Sequence, residues 1–404
     1  MNVESLHVEN FKSIREVDVE FSDLNVFVGR NAAGKSNLFE VFQFLRDARG
    51  EGLDDAVQLQ GGVEYLRNKH IAAGRSLQIE TSFESDSSYQ PIESEEAPEE
   101  KRVDDREIVL RMSFEDSPYT VLSSSYRVEE SIRSDRKKEE SNRIVRFPNI
   151  FEEESRLETG TGDITDIGEA LSSPSKVVTE SGIIYGINSS NIKAPNPGKI
   201  FDVRPRKIKN GDSLKGRTDL QPDGSNLTLV IKKLLEDDDQ KQKFLSLVSD
   251  VLPFVSDTKV EAMPDQSLFL EILEEFEPGQ DQYIPAEMLS DGTLRVLALI
   301  YLLYFSDHEK IFIEEPGRNI HPSLIANLML KVKDAAENTD KQIFLTTHNV
   351  EVLRHTPPED VRLVSRDEDG FTQVERPAES ERVQKFLEND LGMVDLYTEN
   401  MLGE

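Results

Sequence analysis

The stretch NVFVGRNAAGKSNLFEVFQFL, which starts at Asn25, limits what this chain can fold into more than any other feature. An apolar run, "LNVFVG", stops at Gly29. Small residues follow, and after Lys35 and Ser36 a helical pattern sets in, with Leu38, Phe39, Phe42 and Leu45 on one side. Strand, small-residue loop and helix in that order make a unit of an α/β fold, and "GRNAAGKS" (29–36) fits the spacing G-x-x-x-x-G-K-[ST] in the context that gives it meaning. A phosphate needs several backbone N–H donors at close range, so the loop must be small and reach unusual φ/ψ, which Gly29 and Gly34 allow. Lys35 adds a point charge for the β and γ phosphates, Ser36 a hydroxyl for Mg²⁺, and the helix directs its positive N-terminus at the same anion. Arg30, Asn31, Ala32, Ala33 and Asn37 complete the expected nucleotide-binding segment.

At 404 residues the chain exceeds the roughly 100 to 200 typical of one domain, which predicts two lobes or one domain with a large insertion. The absence of cysteine excludes disulfides and thiolate metal sites and fits a reducing compartment. The start "MNVESLHVENF" is acidic and strand-like, unlike a signal peptide, and no apolar run approaches the ~18 residues of a membrane helix. A soluble, cytoplasmic protein is expected. The formal charge of -31 repels nucleic acid at long range, so any DNA contact has to come from a local basic patch.

Along the chain, "LHVENF", "VDVEF" and "LNVFVG" read as strands. The acidic, Pro-containing stretch 84–105 buries too little to fold alone and reads as a flexible tip or linker. Short strand-like runs follow ("EIVLRMSF", "YTVLSSSYRV", "GIIYGI"), and from Gly224 a helical region begins with Ser225 as its candidate cap. After the strand "SLFLEILEEF" the α/β rhythm returns: a helix from Leu294, the strand "KIFIEEP", a helix from about Ser323, the strand "QIFLTTH", a helix from Asn349, and a hairpin turning at "DEDG". The expected organisation is residues 1–83 as the N-terminal half of an α/β head, 84–223 as an acidic and mostly β insertion, 224–265 as a helical lobe and 266–404 as the C-terminal half of the head.

Three later segments bear on chemistry. In "EMLSDGTLRVLALIYLLYF", Ser290, Asp291, Gly292 and Thr293 precede an apolar helix, where a hydroxyl and a backbone N–H make an anion site or an ordinary N-cap. In "KIFIEEPGRNIHP" an apolar strand ends in Glu314 and Glu315, suited to Mg²⁺ and to an attacking water, or merely solvated. In "QIFLTTHNVEVL" another apolar strand ends at His348, a γ-phosphate partner or a satisfied core residue. Each segment alone leaves both readings open. Their order along the chain does not.

With the P-loop, LSxG, strand-Glu-Glu and strand-His in that sequence, the chain resembles the ABC-type ATPases, specifically the RecF, SMC and OLD-like branch. "LHVENFKSIREVDVEFSDLNVFVGRNAAGKSNLFE", "LQPDGSNLTLVIKKLL", "LSDGTLRVLAL" and "EEPGRNIHP" carry the resemblance, which covers both ends well and the middle poorly. It implies an ABC-ATPase head: a P-loop NTPase core sheet plus an antiparallel β subdomain, with an inserted mixed, β and helical lobe. It further implies residues 29–36 as Walker A, 290–293 as a signature acting in trans, Glu314 as the Walker B acid and Mg²⁺ ligand with Ser36, Glu315 as the catalytic base, 319–322 as the D-loop region and His348 as the switch histidine. Glu314 stands where Asp is usual, Gly317 where many relatives carry an acid, and Asp291 where transporter signatures have Gly; Gln60 is a weak candidate for the Q-loop.

In this class one subunit's signature covers the γ-phosphate held by the other's P-loop, so a homodimer around two ATPs is expected. No coiled coil and no nuclease domain is legible, which predicts an effector protein on another chain in a DNA-linked process such as repair or anti-phage defence. The basic stretch "RPRKIKNGDSLKGR" from Arg204 either touches DNA or offsets nearby acids. The alternative is a nucleotide-controlled scaffold that restrains a partner protein without DNA contact. No membrane partner is expected.

Overall fold

The computed structural model describes residues 2–68, 76–84, 196–209, 212–213, 216, 218–274, 282–381, 383–384 and 393–398, together with seven strands between residues 88 and 184. The chain divides into two compact units. One comprises Met1–Phe21, Glu40–Pro197 and Arg366–Val374, the other Ser22–Phe39, Gly198–Ser365 and Glu375–Glu404.

Three strands open the chain: β1 (Asn2–Phe11), β2 (Ile14–Glu20) and β3 (Leu24–Val28), followed by helix α1 (Lys35–Glu51). In the first unit β1 and β2 form an antiparallel hairpin, with Leu6 opposite Val19 and Val8 opposite Val17, so one apolar face is shared and the polar residues alternate outward. β4 (Leu77–Glu84) pairs with the other edge of β1, placing Ile79 opposite Val8. The antiparallel sheet continues through β5 (Lys101–Ser113), β6 (Thr120–Ile132) and β7 (Asn142–Pro148). The strands read from "EIVLRMSF" and "YTVLSSSYRV" are therefore extensions of the sheet begun by β1 and β4. The run "GIIYGI" supplies the strand Gly182–Ile184, paired with Val177–Thr179 in a separate two-stranded sheet. Of the expected tip at 84–105, residues 88–89 and 101–105 have strand backbone, and 85–87 and 90–100 lie outside the described residues. The later part of α1 buries Phe42, Phe44, Leu45 and Ala48, with the Phe44 ring 6.2 Å from that of Phe11.

In the second unit the chain runs through β8 (Lys199–Phe201), α2 (Leu227–Leu234), α3 (Asp238–Val251) and an antiparallel meander of β9 (Val255–Ala262), β10 (Ser267–Glu274) and β11 (Gln282–Pro285). It continues with α4 (Asp291–Tyr304), β12 (Lys310–Glu314), α5 (Pro322–Asn338), β13 (Gln342–Thr347), α6 (Val350–Arg354), β14 (Val361–Arg366) and, near the end, α7 (Met393–Thr398). A parallel sheet forms the centre in the order β8, β12, β13, β3, β14. Its strands are apolar on both faces, as a sheet covered on both sides requires. One face carries Val26, Val28, Ile311, Ile313, Ile343 and Leu345 into a large cluster with α4 and α5. The other carries Phe312 and Phe344, whose rings stack at 4.2 Å, with Phe39 of α1 edge-on to Phe312 at 5.0 Å. No helix among the described residues is long and apolar enough to cross a membrane.

The helical region from Gly224 differs from expectation at its start and middle. Ser225 does not cap it. Asn226 takes the N-cap position of α2, and its side chain serves the preceding loop, accepting from Gln221 N and donating to Asp219 O. The region then breaks in two, because Asp237 accepts from Gln240 N at 3.0 Å and starts α3 afresh. The turn at "DEDG" forms as expected, with Gly370 N donating to Asp367 O. Burial, aided by Glu359, pushes the Asp360 carboxyl up to about 6, with Arg362 opposing. The folded state thus holds the proton more tightly than the unfolded chain, and stability from this group is lost as pH rises from about 4 through 6. Asp360→Asn removes the effect. In urea unfolding, the stability difference between variant and parent is expected to move in the variant's favour by about 1 kcal/mol from pH 4 to pH 7, a figure reduced for the group's partial exposure.

Candidate active site

The carboxyl ends of β3, β12 and β13 come together at one edge of the parallel sheet, where α/β folds collect their ligands. Backbone pairing runs one residue past each strand: Gly29 N donates to Thr347 O at 3.2 Å and Glu315 N to Thr346 O at 2.8 Å. A Cβ on Gly29 would lie 2.2 Å from the Val364 carbonyl oxygen, so only glycine lets the chain leave β3 beside β14. The loop then turns through left-handed backbone at Ala32 (φ 64°) and Gly34 (φ 109°), the alternation that points successive N–H groups inward as an anion nest. Lys35 is buried, and its ammonium donates to Gly29 O at 2.7 Å and Arg30 O at 3.0 Å, across the mouth of the loop. Burial holds its pKa below the ordinary value, against the pull of Glu315 and Glu314. Ser36 is exposed in the first turn of α1.

At the end of β12 the backbone inverts at Glu315 (φ 48°), a conformation that costs a non-glycine residue about 1 kcal/mol. Its side chain, 9% exposed, accepts from His348 Nδ1 at 2.6 Å and lies 3.4 Å from both Thr347 Oγ1 and His348 N. His348 is half-exposed, so the expected pair of acid and imidazole meets with the imidazole open to solvent. Asn349 then caps α6 through Glu351 N. Glu314 is partly buried as the last residue of β12.

Ser290 is the N-cap of α4, accepting from Thr293 N at 3.0 Å, so the helix begins at Asp291 instead of the expected Leu294. Its neighbour Met288 is 78% exposed. Gly292 is required by packing: a Cβ there would sit 2.4 Å from Asn319 O, and Asn319 itself has φ 61°. The 290–293 segment is thereby locked to the 319–322 segment of its own subunit. Asp291 is tied to Lys209 at 2.8 Å and Arg204 to Asp202 at 2.9 Å, so two cations of the basic stretch neutralise acids of this unit. Gln60, the Q-loop candidate, belongs to the first unit, where its Oε1 accepts from Lys12 Nζ, which also pairs with Glu40. Arg295 was not singled out from the sequence. It is 3% exposed and donates to the Glu315 carbonyl. The signal was present as the one charge in the otherwise apolar run from Leu294 to Leu303.

The donors suit a nucleotide with a hard cation. The loop offers inward N–H groups and an ammonium, while Ser36 and Glu314 offer two oxygens. Mg²⁺ ordinarily takes one or two protein oxygens and fills the rest with phosphate and water. Among the described residues no cluster of three or more His, Cys, Asp or Glu that could hold a metal ion is present.

A parallel core sheet with a P-loop at its carboxyl edge, in a chain that also carries an antiparallel sheet, defines the ABC-type ATPase head. The chain belongs to the family described as "AAA domain, putative AbiEii toxin, Type IV TA system", which matches residues 24–354. Its fold is similar to an SmcHead solved bound to the C-winged helix domain of ScpA (15% identity, 93% of this chain and 97% of that chain, TM-score 0.52). It is also similar to a Smc head domain with an extended coiled coil derived from Pyrococcus furiosus, solved with the C-terminal domain of ScpA (14% identity, 96% and 99%, TM-score 0.51). The DNA replication and repair protein RecF of Lactobacillus acidophilus is 44% identical over 46 residues, which is 11% of this chain and 12% of that protein's length. The resemblance to the RecF and SMC branch is thus upheld by family, fold and local sequence.

The close approaches predict a specific cost. Gly29→Ala and Gly292→Ala each press a methyl onto a backbone oxygen, and each is expected to destabilise by about 1–3 kcal/mol. Thermal unfolding of the two variants checks this, with Gly50→Ala, where a Cβ meets nothing within 4 Å, as the harmless control.

Proposed function

We propose that the chain binds ATP with Mg²⁺ at residues 29–37 and hydrolyses it, two copies enclosing two nucleotides. The observation that carries this reading is the Glu315 carboxylate, buried beside the His348 ring at 2.6 Å and within the field of Lys35. Solvated acids at a strand end would not be held in this way. In the proposed reaction backbone N–H groups of the 29–36 loop and the Lys35 ammonium bind the β and γ phosphates. Ser36 and Glu314 hold Mg²⁺, which when bound neutralises charge developing on the phosphate oxygens. Glu315 accepts a proton from water in line with the γ-phosphate, and His348, bonded to Glu315 through Nδ1, leaves Nε2 for the phosphate or the water. Ser290, Asp291, Gly292 and Thr293 act on the partner copy's nucleotide; the exposed Ser290 and Met288 at the start of α4 support a surface that another copy covers.

The output we propose is a DNA-linked process carried out by an effector on a separate chain. Support comes from the RecF relative, named for DNA replication and repair, from the SMC heads solved with a domain of ScpA, and from the toxin named in the family's description. The two ion-paired cations of the basic stretch favour the second reading, a scaffold restraining a protein partner without DNA. Stimulation of turnover by DNA separates the two.

Glu315→Gln keeps the shape and removes the base. Nucleotide affinity is expected to stay within about twofold of the parent while turnover falls by about 10²–10⁴-fold. Lys35→Ala is expected to weaken nucleotide binding itself. Parent-level turnover in Glu315→Gln refutes the assigned chemistry.

A further inference from the structure

Arg295 stands in the second turn of α4, five residues after Ser290, and its guanidinium is buried in the second unit. Burying a guanidinium is unfavourable unless its donors are satisfied, and here satisfaction is incomplete. One terminal nitrogen, NH1, donates to the Glu315 carbonyl at 3.3 Å, while the buried Nε has no hydrogen-bond partner. The surrounding charges are mixed: Arg318 repels, whereas Asp202, Asp291 and Glu315 attract, and burial holds the guanidinium's pKa below the ordinary value. Packing alone would favour an apolar residue at this position, as at every position from Val296 to Leu303 that follows it in the helix. A cation kept there against that preference calls for a task, and the one donation it makes identifies the object of the task.

The Glu315 peptide has inverted backbone, so its carboxylate direction depends on what fixes the carbonyl and N–H on either side. The N–H is fixed by Thr346 of β13. The carbonyl is fixed by two donors: Arg318 N at 3.1 Å, within the same turn, and Arg295 from a different element. Three residues before Arg295, Gly292 rests against the carbonyl of Asn319, four residues after Glu315. The first two turns of α4 therefore grip both ends of the Glu315–Asn319 turn. Any tilt of α4 when Ser290 is engaged moves the Glu315 carbonyl with it.

We propose that Arg295 is a positioning residue that fixes the direction of the Glu315 carboxylate by holding its backbone carbonyl, so that engagement of the 290–293 segment is felt at the hydrolytic acid of the same subunit. This rests on the reading of Glu315 as the general base. Arg295 itself touches neither nucleotide nor water. Its loss leaves the loop of residues 29–36 and its lysine in place, and it frees the Glu315 peptide to relax from its inverted conformation. Ground-state binding is kept and the in-line water is lost.

The test is a mutant cycle on the 404-residue chain. Arg295→Met matches the volume without the donor, and Arg295→Lys keeps a donor on a shorter reach. For Arg295→Met, kcat is expected to fall by about 10–100-fold with nucleotide Kd unchanged, as for a displaced catalytic group. Arg295→Lys recovers part of the loss. In the Glu315→Gln background, adding Arg295→Met is expected to change residual turnover less than twofold, because two residues acting through one carboxylate are not additive. Equal losses in both backgrounds, or no loss in either, overturn the positioning role while leaving the Glu315 chemistry standing. If Glu315→Gln turns over like the parent, the chemistry itself has failed. Should Arg295→Met not fold, as judged by its thermal transition, Arg295→Lys in the two backgrounds decides by the same criterion.

Discussion

The site depends on one run of backbone hydrogen bonds: β13 hands Thr346 O to Glu315 and Thr347 O to Gly29, extending its pairing with β12 and β3 one residue beyond each neighbour. Those two bonds set the loop, the adjacent acids and His348 on a common edge, within about one residue's rise of each other. Slipping either strand by one residue would exchange its two apolar faces, sending Phe312 or Phe344 where isoleucine belongs. Core packing therefore protects the register, and the register protects the chemistry. The arrangement tolerates strain because it is over-determined: inverted backbone at Glu315 persists with its N–H and carboxylate held by β13 and the residue after it, and its carbonyl by Arg318 N and by Arg295 of α4.

Glycine is used in this unit where another backbone has to come near. Gly29 admits the Val364 carbonyl, and Gly292 admits that of Asn319. The second of these has a conventional explanation in sequence terms, a signature glycine offering an N–H, but the packing adds a reason internal to one subunit. Both demands fall on the same residue, so nothing larger is tolerated there even without a partner copy. Buried charge follows a similar economy. Lys35 and Arg295 are both removed from water and both donate to backbone carbonyls of the segments they serve, Lys35 to its own loop and Arg295 to the turn after β12.

The central sheet was legible in the sequence because its strands are short, continuous apolar runs and each ends at a residue no strand needs: Gly29, Glu314 and His348. The P-loop was legible because its spacing is rare. The helix starts were displaced wherever a stronger cap stood nearby, Asp237 splitting the region after Gly224 and Ser290 extending α4 backwards by three residues. The strands at 101–132 read as a separate insertion because composition changes sharply at residue 84, whereas pairing with β4 is a long-range event that composition does not record. Arg295 escaped notice for a different reason. A lone charge in an apolar helix says that something polar is buried, not what it faces, and its partner is a carbonyl, which every residue has.

The head so built joins two demands that oppose each other. In the proposed reaction the hydrolytic acid has to be rigid to align water, yet hydrolysis that depends on a second copy has to respond to that copy's arrival. Rigidity comes from β13, which is buried along its whole length and grips Glu315 from one side. On the other side stands α4, whose capped N-terminus is exposed while its second turn donates to the carbonyl of the same glutamate. The glutamate thus lies between two supports, β13 and α4. In the proposed dimer a partner pressing on Ser290 would bear on the second of these, so assembly and the geometry for hydrolysis would be joined through α4 without any rearrangement of the sheet.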